Sequence, residues 1–318
     1  MASLDDRPVP QTSPFRQRPP VAADAPGVAD LVISYERSLY GTTAYSIADL
    51  EAEWESLDLA RDALVLLDGE RLVAFGTLDE RGELWRIDGF VHPDERGRGL
   101  GTSLVAALEQ IAVSRGARRI QNGVVEADES GHRLLGDLGY RPVRVFRELR
   151  VELGEAPQSP RWPDGLVPDT FDAERDVAAF HAAEQEAFAD HWEFRPRTLA
   201  RWRALHVDHE RFDASLWRVV RAGDEIVAGA ICEADRYGGG WVGVVFTRRP
   251  WRGRGVGRAV LHDAFRKFWE RGERSIGLGV DAENATGAFQ LYESVGMRPV
   301  MGWVMHEKAC YPASGRSR

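Results

Sequence analysis

The sequence predicts an α+β protein of two tandem domains, each with a mixed, mostly antiparallel sheet flanked by helices. Three observations carry this prediction. The chain has 318 residues, about twice the length of a typical domain. Its two halves repeat each other at an offset of 156 residues. In both halves helical patterns and β-rich runs follow in the same order, which is typical of a layered α+β fold.

The repeat keeps one register from Trp85 to Val124, and the hairpin before it matches once two residues are adjusted. The matched positions are 96–101 (RGRGLG) with 252–257 (RGRGVG), Trp85 with Trp241, Phe90 with Phe246, and Gly123 with Gly279. A period of this size is that of a whole domain, so the sequence predicts a duplicated domain and not a solenoid of short repeats.

Each half begins with two helical patterns, which are followed by two β-rich runs joined at a tight Asp/Gly turn. The helical patterns cover 27–40, 46–57, 175–188 and 197–205. The β-rich runs are 64–67 with 71–78 in the first half and 216–221 with 225–233 in the second. Two β-rich runs around such a turn predict a β-hairpin in each half.

A third strand, 84–91 or 241–247, leads into the glycine-rich turn, and a long helix follows. Apolar residues at three- and four-residue spacing mark the helix: Leu104, Leu108 and Ile111 in the first half, and Val260, Ala264 and Phe268 in the second. A strand (119–125 or 275–280), a short helix and a last strand complete each half.

Two proline-rich stretches set the predicted domain boundaries, one near the beginning of the chain and one near its middle. We expect a disordered lead-in at 1–14, an N-terminal domain at 15–151, a linker at 152–164, a C-terminal domain at 165–309 and a tail at 310–318.

Composition excludes several classes of protein. With 41 Lys and Arg against 50 Asp and Glu, the net charge of −9 disfavours nucleic-acid binding through phosphate neutralisation. The longest apolar stretches are too short to cross a bilayer, so no membrane association is expected. The N-terminus lacks the pattern of a signal peptide. The cysteines, Cys232 and Cys310, do not form a disulfide framework, and we expect a reducing cytoplasm.

One cluster of potential metal ligands needs a separate interpretation. His206 and His209 are spaced like ligands, with Asp208 and Glu210 beside them. No third and fourth ligand is evident, and the segment closes a helical pattern in a charged stretch. We interpret it as a solvated helix end and predict no metal.

The glycine-rich turns carry the functional signal. Their glycines permit a sharp turn and close approach of a ligand to the main chain. Since a helix begins there, unpaired N–H groups and the positive end of the helix dipole meet at one place, which predicts a pyrophosphate site. A P-loop is excluded because no Lys-Ser or Lys-Thr occurs, and a dinucleotide-binding fold is excluded by the glycine spacing and by the preceding strands.

The pattern Arg-x-x-Gly-x-Gly between a strand and a long helix resembles the acetyl-CoA pyrophosphate motif of the GNAT superfamily of N-acetyltransferases. The segment at 279–297 (GVDAENATGAFQLYESVGM) resembles that family's following strand and helix. The resemblance implies acetyl-CoA as acetyl donor and direct transfer to a primary amine, most simply that of a small molecule. In this pattern Asn284 would hold the pantetheine arm, and Tyr292 would protonate the departing thiolate.

The same resemblance assigns the cofactor-binding residues in both halves. In the second half they are Val245, Phe246, Thr247, Arg252, Gly253, Arg254, Gly255, Val256, Gly257, Arg258 and Asn284. In the first half they are Phe90, Val91, Arg96, Gly97, Arg98, Gly99, Leu100, Gly101 and Thr102.

Within the superfamily, the tandem layout is similar to that of the mycothiol synthases. The segment at 186–202 resembles the helix–loop–helix that those enzymes place over the acceptor, which assigns His191 and Trp192 to substrate binding. Trp241 stands where those enzymes have a glutamate base on the third strand. This departure favours a general tandem GNAT acetyltransferase over mycothiol synthesis. We predict Glu233 as the base, with Asp235 as the alternative, because both follow the hairpin of the second half and would lie near the third strand. The resemblance also allows the proton to leave through water.

The halves differ at the two positions that the resemblance makes functional. Counting back from the last glycine of each half sets Ala127 opposite Asn284 and Leu135 opposite Tyr292. We expect the N-terminal domain to bind acetyl-CoA without turnover and the C-terminal domain to catalyse. Catalysis in the first half through His92 or His132 stays an alternative, as do mycothiol synthesis, a non-catalytic acetyl-CoA sensor, and a monomer or a dimer.

Overall fold

The computed structural model describes residues 15–310 apart from positions 56, 209, 210 and 285. The chain folds into two compact units. The N-terminal unit holds the described residues up to Arg144 and those from Trp303 on, and the C-terminal unit is Val145–Gly302. The predicted lead-in at 1–14 and the tail beyond Cys310 lie outside the described residues.

Most of the predicted elements are present. The strands are β1 Arg16–Arg18, β2 Ala63–Asp68, β3 Arg71–Arg81, β4 Leu84–Val91, β5 Arg119–Val125, β6 Arg141–Glu152, β7 Val167–Thr170, β8 Arg218–Ala222, β9 Glu225–Arg236, β10 Gly239–Thr247, β11 Ser275–Asp281 and β12 Arg298–Ala309. The helices are α1 Ala25–Tyr40, α2 Ile47–Trp54, α3 Leu59–Asp62, α4 Leu100–Ser114, α5 Glu129–Asp137, α6 Val177–Phe188, α7 Leu199–His206, α8 Val256–Glu270 and α9 Ala288–Ser294.

Each unit contains one mixed sheet, which confirms the predicted fold class. In the N-terminal unit the strand order is β1-β2-β3-β4-β5-β12, and in the C-terminal unit it is β7-β8-β9-β10-β11-β6. Neighbours are antiparallel except β4 with β5 and β10 with β11, which are parallel. In each unit the parallel pair flanks the glycine-rich turn and the long helix after it.

The last strand of each sheet comes from the other half of the sequence, which the predicted domain boundaries did not anticipate. β5 pairs with Trp303–Ala309 of β12, near the end of the chain. β11 pairs with Phe146–Glu152 of β6, and the prediction placed all of these residues but the last in the N-terminal domain. Each sheet is therefore completed by a strand from the other half of the sequence. The chain passes from one unit to the other after Arg144 and again after Gly302.

Two helices of the C-terminal unit cover opposite faces of its sheet. The ring of Phe180 in α6 lies 5.0 Å from that of Phe246 in β10. A Cβ atom on Gly240 would come within 2.5 Å of Phe268 in α8. Because a bulge between these two β10 positions reverses the alternation of side chains, Gly240 and Phe246 face opposite sides. None of the described helices is long and apolar enough to span a bilayer.

The packing of α6 against α7 buries a carboxylate. The indole N–H of Trp202 donates a hydrogen bond to Glu184, and both residues are buried. Burial raises the pKa of Glu184 to about 7, although the hydrogen bond from Trp202 acts in the opposite direction. The carboxyl group therefore loses its proton in the folded protein near neutral pH, well above the pKa of an exposed glutamate.

This burial predicts a pH-dependent stability. Because the folded pKa of Glu184 is raised, the folded state binds more protons than the unfolded state between about pH 4.5 and 7, so stability falls as pH rises through that window. Glu184→Gln keeps an acceptor for Trp202 and removes the titration. We expect it to raise the free energy of unfolding at pH 8 by up to about 3 kcal/mol. Urea denaturation at pH 5 and pH 8 checks this, and an equal effect at both pH values would contradict it.

Candidate active site

The glycine-rich turn of the C-terminal unit has the conformation of an anion site. Gly253 and Gly255 lie in the left-handed region, with φ of 73° and 81°. A side chain at either position would be strained although the space around both is open. α8 begins at Val256, directly after the turn, and no side chain caps it. Its first N–H groups are thus left for a ligand, and the helix dipole favours a negatively charged one.

A gap opens between β10 and β11 beside this turn. The parallel strands pair at Gly240 with Ile276 and at Trp241 with Gly277. Beyond Trp241, no described residue of β11 pairs with β10. On the other side of β10, Val242 pairs with Cys232 and Val244 with Ile231, which leaves Gly243 as a bulge. The backbone of β10 past Trp241 is therefore available to an extended ligand.

One cavity of about 1160 Å³ joins the turn and the gap. Ten of the eleven predicted cofactor-binding residues of this half line it: Val245, Phe246, Thr247, Arg252, Gly253, Gly255, Val256, Gly257, Arg258 and Asn284. The eleventh, Arg254, stacks its guanidinium on the ring of Trp251, 5.1 Å from the centroid. The sequence thus brings its predicted residues to a single site.

Tyr292 lies in the wall of this cavity, on α9. Only 7% of the residue is exposed, and burial raises the pKa of its hydroxyl above the usual value. It is therefore protonated at neutral pH, as a proton donor must be.

Asn284 closes the turn after β11 and also lines the cavity. Its side-chain oxygen accepts a hydrogen bond of 2.8 Å from the N–H of Thr286. That bond fixes the side chain and leaves the NH₂ group, which has no partner among the described residues, available to a ligand.

Arg252 has a contact set that sequence reasoning missed. Its guanidinium donates to the carbonyl oxygens of Thr247 at 3.1 Å and Ala187 at 2.6 Å, and to the carboxylate of Asp190 at 3.0 Å. The side chain thus ties the turn to the end of α6 and to the segment that follows. No local signal in the sequence reveals the contacts with Ala187 and Asp190, because these two residues are more than sixty positions away.

Of the two residues predicted to bind substrate, one lines the cavity and the other does not. His191 lines the cavity, with its ring 4.3 Å from that of Phe188. Burial lowers the pKa of His191. Trp192 is not among the cavity-lining residues, and its ring lies 6.0 Å from that of Phe146.

The predicted base, Glu233, lies on β9, and its Oε1 would be 3.8 Å from a Cβ atom on Gly243, a residue that lines the cavity. Its carboxylate accepts a hydrogen bond of 2.8 Å from Arg236. Among the described residues no group of three potential ligands is placed to hold a metal ion. Of the potential metal ligands at 206–210 in the sequence, His209 and Glu210 lie outside the described residues.

Comparison with known proteins assigns the family. The model of the "Acetyltransferase (GNAT) family" matches residues 28–140 and 177–297, one segment in each half of the chain. This protein belongs to the GNAT acetyltransferase family. Members transfer an acetyl group from acetyl-CoA, so the chain is an acetyl-CoA-dependent acetyltransferase, as predicted.

Similar proteins support the tandem architecture. A mycothiol acetyltransferase of Thermobispora bispora is 32% identical over 242 residues, which cover 73% of this chain and 79% of the relative. The structure of a GCN5-related N-acetyltransferase from Sphaerobacter thermophilus superposes with a TM-score of 0.84 at 34% identity, covering 95% of this chain and 97% of that one. A tandem GNAT protein of the clavulanic acid biosynthesis pathway has the same fold, with a TM-score of 0.74 at 18% identity, covering 94% and 100%.

The N-terminal GNAT unit repeats the backbone of the turn but not its surroundings. Gly97 and Gly99 both have φ of 78°, and α4 begins directly after them. Arg98, however, is paired with Glu95 and, at 2.9 Å, with Asp68. These carboxylates neutralise the arginine beside the turn. The strand before the turn also lacks the bulge, because 84–91 pairs residue for residue with 74–81.

The sequence comparison predicted Ala127 as the counterpart of Asn284 in this unit. The structure shows that the counterpart is Asp128. The N–H of Asp128 donates to Val125 O, and that of Asn284 donates to Asp281 O. Each side chain also accepts from the N–H two residues later. Leu135 is the counterpart of Tyr292, because the carbonyl oxygen of each accepts a hydrogen bond from the backbone N–H of the residue five positions later.

Asp128 is held by a residue of α1. The hydroxyl of Tyr35 donates a buried hydrogen bond of 2.9 Å to its carboxylate. Burial acts to raise the pKa of Asp128, but hydrogen bonds from Ser130, Gly131 and Tyr35 outweigh it and keep the carboxyl ionised. The ring of Tyr35 also packs edge-on against Phe90, one of the predicted cofactor residues, at 5.5 Å. A negative charge and an aromatic ring thus lie where the C-terminal unit offers an amide and open space.

Tyr35→Phe should destabilise the N-terminal unit. The variant keeps the ring and removes one donor from a buried, ionised carboxylate, which costs about 1.5–3 kcal/mol. Denaturant unfolding of the full chain measures the loss. An unchanged unfolding midpoint would mean that the hydrogen bond contributes nothing to stability.

Proposed function

We propose that the C-terminal unit transfers the acetyl group of acetyl-CoA directly to the primary amine of a small molecule. The observation that carries the proposal is that one cavity joins the uncapped first turn of α8, the gap beside β10 and the side chain of Tyr292. These are the groups needed to hold a diphosphate, an extended arm and a departing thiolate.

Acetyl-CoA supplies the acetyl group as a thioester. The N–H groups at the start of α8 bind its diphosphate, and Arg258 adds positive charge beside them. The backbone of β10 past Trp241 and the NH₂ group of Asn284 hold the arm. The bulge frees the N–H of Gly243 to donate to the carbonyl oxygen, where charge develops during the reaction.

Direct transfer is favoured over a covalent acyl-enzyme. Cys232 is fully buried on β9, and burial strongly raises the pKa of its thiol. A neutral, inaccessible thiol is a poor nucleophile. Cys310, the other cysteine, belongs to the N-terminal unit.

Three differences support catalysis in the C-terminal unit. Leu135 of the N-terminal unit cannot donate a proton at the place of Tyr292. Its third strand has no bulge. Tyr35 and Asp128 fill the region that corresponds to the neighbourhood of Asn284.

A second candidate is acetylation of the mycothiol precursor, favoured by relatives named mycothiol acetyltransferase that are 28–32% identical. Trp241, at the place of the expected glutamate, packs its ring 4.9 Å from that of Tyr237. This departure keeps the wider class of small-molecule amines as the first candidate.

The test is release of free CoA thiol by the full chain across a panel of aminosugars, polyamines, amino-acid esters and cysteinyl-glucosaminyl-inositol. We expect turnover with at least one amine and formation of its N-acetyl product. Preference for the last compound would select the second candidate. Tight acetyl-CoA binding without thiol release from any amine would contradict the proposal and favour a non-catalytic sensor.

A further inference from the structure

His191 has the surroundings of a reactive group rather than of a packing residue. His191 lines the cavity. Its backbone N–H donates a hydrogen bond of 2.9 Å to Phe188 O, which fixes the segment. The ring of Phe188 supports the imidazole from one side. Neither ring nitrogen has a hydrogen-bond partner among the described residues, so one of them is available to a molecule in the cavity.

The position of His191 suits contact with an acceptor. It follows α6, which covers the face of the sheet opposite to α8. The same cavity is also lined by Gly243 and Tyr292, the groups proposed above to contact the thioester. The contact of Arg252 with Asp190, the preceding residue, further ties this segment to the glycine-rich turn.

The charges around the imidazole favour its neutral form. Three charged groups face it: Asp190 in its own segment, Arg252 in the turn and Asp281 at the end of β11. Burial lowers the pKa of His191, and Arg252 acts in the same direction, against the two carboxylates. A neutral imidazole can accept a proton at physiological pH.

We infer that His191 is the general base that takes the proton from the attacking amine, an inference that rests on the function proposed above. A ring nitrogen of His191 accepts the amine proton as the new C–N bond forms. Tyr292 donates its proton to sulfur as the C–S bond breaks. Solvent then returns a proton from His191 to Tyr292, so that atoms and charges balance. This inference puts His191 in place of the predicted base, Glu233, whose carboxylate already accepts a hydrogen bond from Arg236.

Bromoacetyl-CoA tests the geometry without any knowledge of the acceptor. The reagent carries an electrophilic carbon at the acetyl position, and a ring nitrogen that reaches it displaces bromide and loses a proton. Incubation with the full chain followed by peptide mass spectrometry should find His191 alkylated, with protection by excess CoA. Another cavity-lining imidazole, His262 on α8, is the internal comparison.

Three results would overturn the assignment. Alkylation of His262 in place of His191 would put the acetyl group on the other face. A reagent that competes with acetyl-CoA but alkylates nothing would put His191 out of reach while leaving the proposed function intact. A reagent that does not bind at all would remove the proposed function together with the base.

Kinetics supply the second test, with the amine that turns over fastest in the panel. His191→Gln should lower kcat about 100-fold and abolish the acidic limb of kcat against pH, because a base must be unprotonated. Added imidazole should partly restore His191→Ala, which a packing role would not allow. Retention of the rate and of the limb in His191→Gln, or loss of the limb in Glu233→Gln instead, would overturn the inference.

Discussion

Tyr292→Phe is expected to lower kcat by about 100-fold or more, with little change in the dissociation constant of acetyl-CoA. The phenol of Tyr292 is buried in the cavity wall, and burial keeps it protonated at neutral pH. Removing the hydroxyl leaves the ring and its packing but no acid for the departing thiolate. The measurement is steady-state thiol release, with acetyl-CoA affinity determined separately by calorimetry.

The pH dependence separates this role from a packing role. Because burial raises the pKa of the Tyr292 hydroxyl above that of an ordinary phenol, kcat of the parent should not fall up to about pH 10, and the loss in Tyr292→Phe should be the same throughout that range. The melting temperature of the variant serves as the control for folding. An unchanged kcat in a folded variant would remove Tyr292 from the reaction.

Arg258→Glu is expected to weaken acetyl-CoA binding by more than tenfold. Arg258 lies in the first turn of α8 and lines the cavity, and its guanidinium donates a hydrogen bond of 3.1 Å to Ser294 Oγ. Charge reversal there sets a carboxylate against the diphosphate, at the place where the helix dipole and open N–H groups favour an anion. Titration calorimetry of the full chain measures the loss.

The duplication provides a matched comparison for this variant. The counterpart of Arg258 is Thr102, exposed in the first turn of α4. If only the C-terminal unit binds acetyl-CoA, Thr102→Glu should leave the affinity for acetyl-CoA unchanged, and the stoichiometry should stay at one molecule per chain. A loss of half the binding sites in Thr102→Glu would instead mean that the N-terminal turn also binds acetyl-CoA, as the sequence resemblance implied.

The elements around the site were predictable because their signals are local. Asp/Gly hairpin turns, three- and four-residue apolar spacing and the glycine-rich motif each act within a short stretch of chain. The exchange of the last strands has no such signal. β6 and β12 occupy equivalent places in the two halves and have similar length, so either could satisfy the edge of either sheet. Which one pairs with β5 depends on long-range packing.

The site was predictable in its backbone and less so in its side chains. Ten of the residues that the glycine-rich motif predicts for the cofactor line one cavity. The mismatch of Ala127 for Asp128 arose because the stretch before Tyr292 is one residue longer than that before Leu135, which counting back from the glycine ignores. The contacts of Arg252 and of Tyr35 depend on side-chain direction in the folded chain, and a sequence pattern does not determine that direction.

The central claim is that acetyl-CoA binds in the C-terminal unit with its thioester beside Tyr292. A crystal structure of the full chain grown with CoA tests it most directly. We predict density for the diphosphate at the N–H groups of Val256 and Gly257, with the arm beside β10 and the sulfur within hydrogen-bond reach of the Tyr292 hydroxyl. CoA seated on the turn at Gly97–Gly99 with the α8 turn empty at saturating CoA would contradict the account.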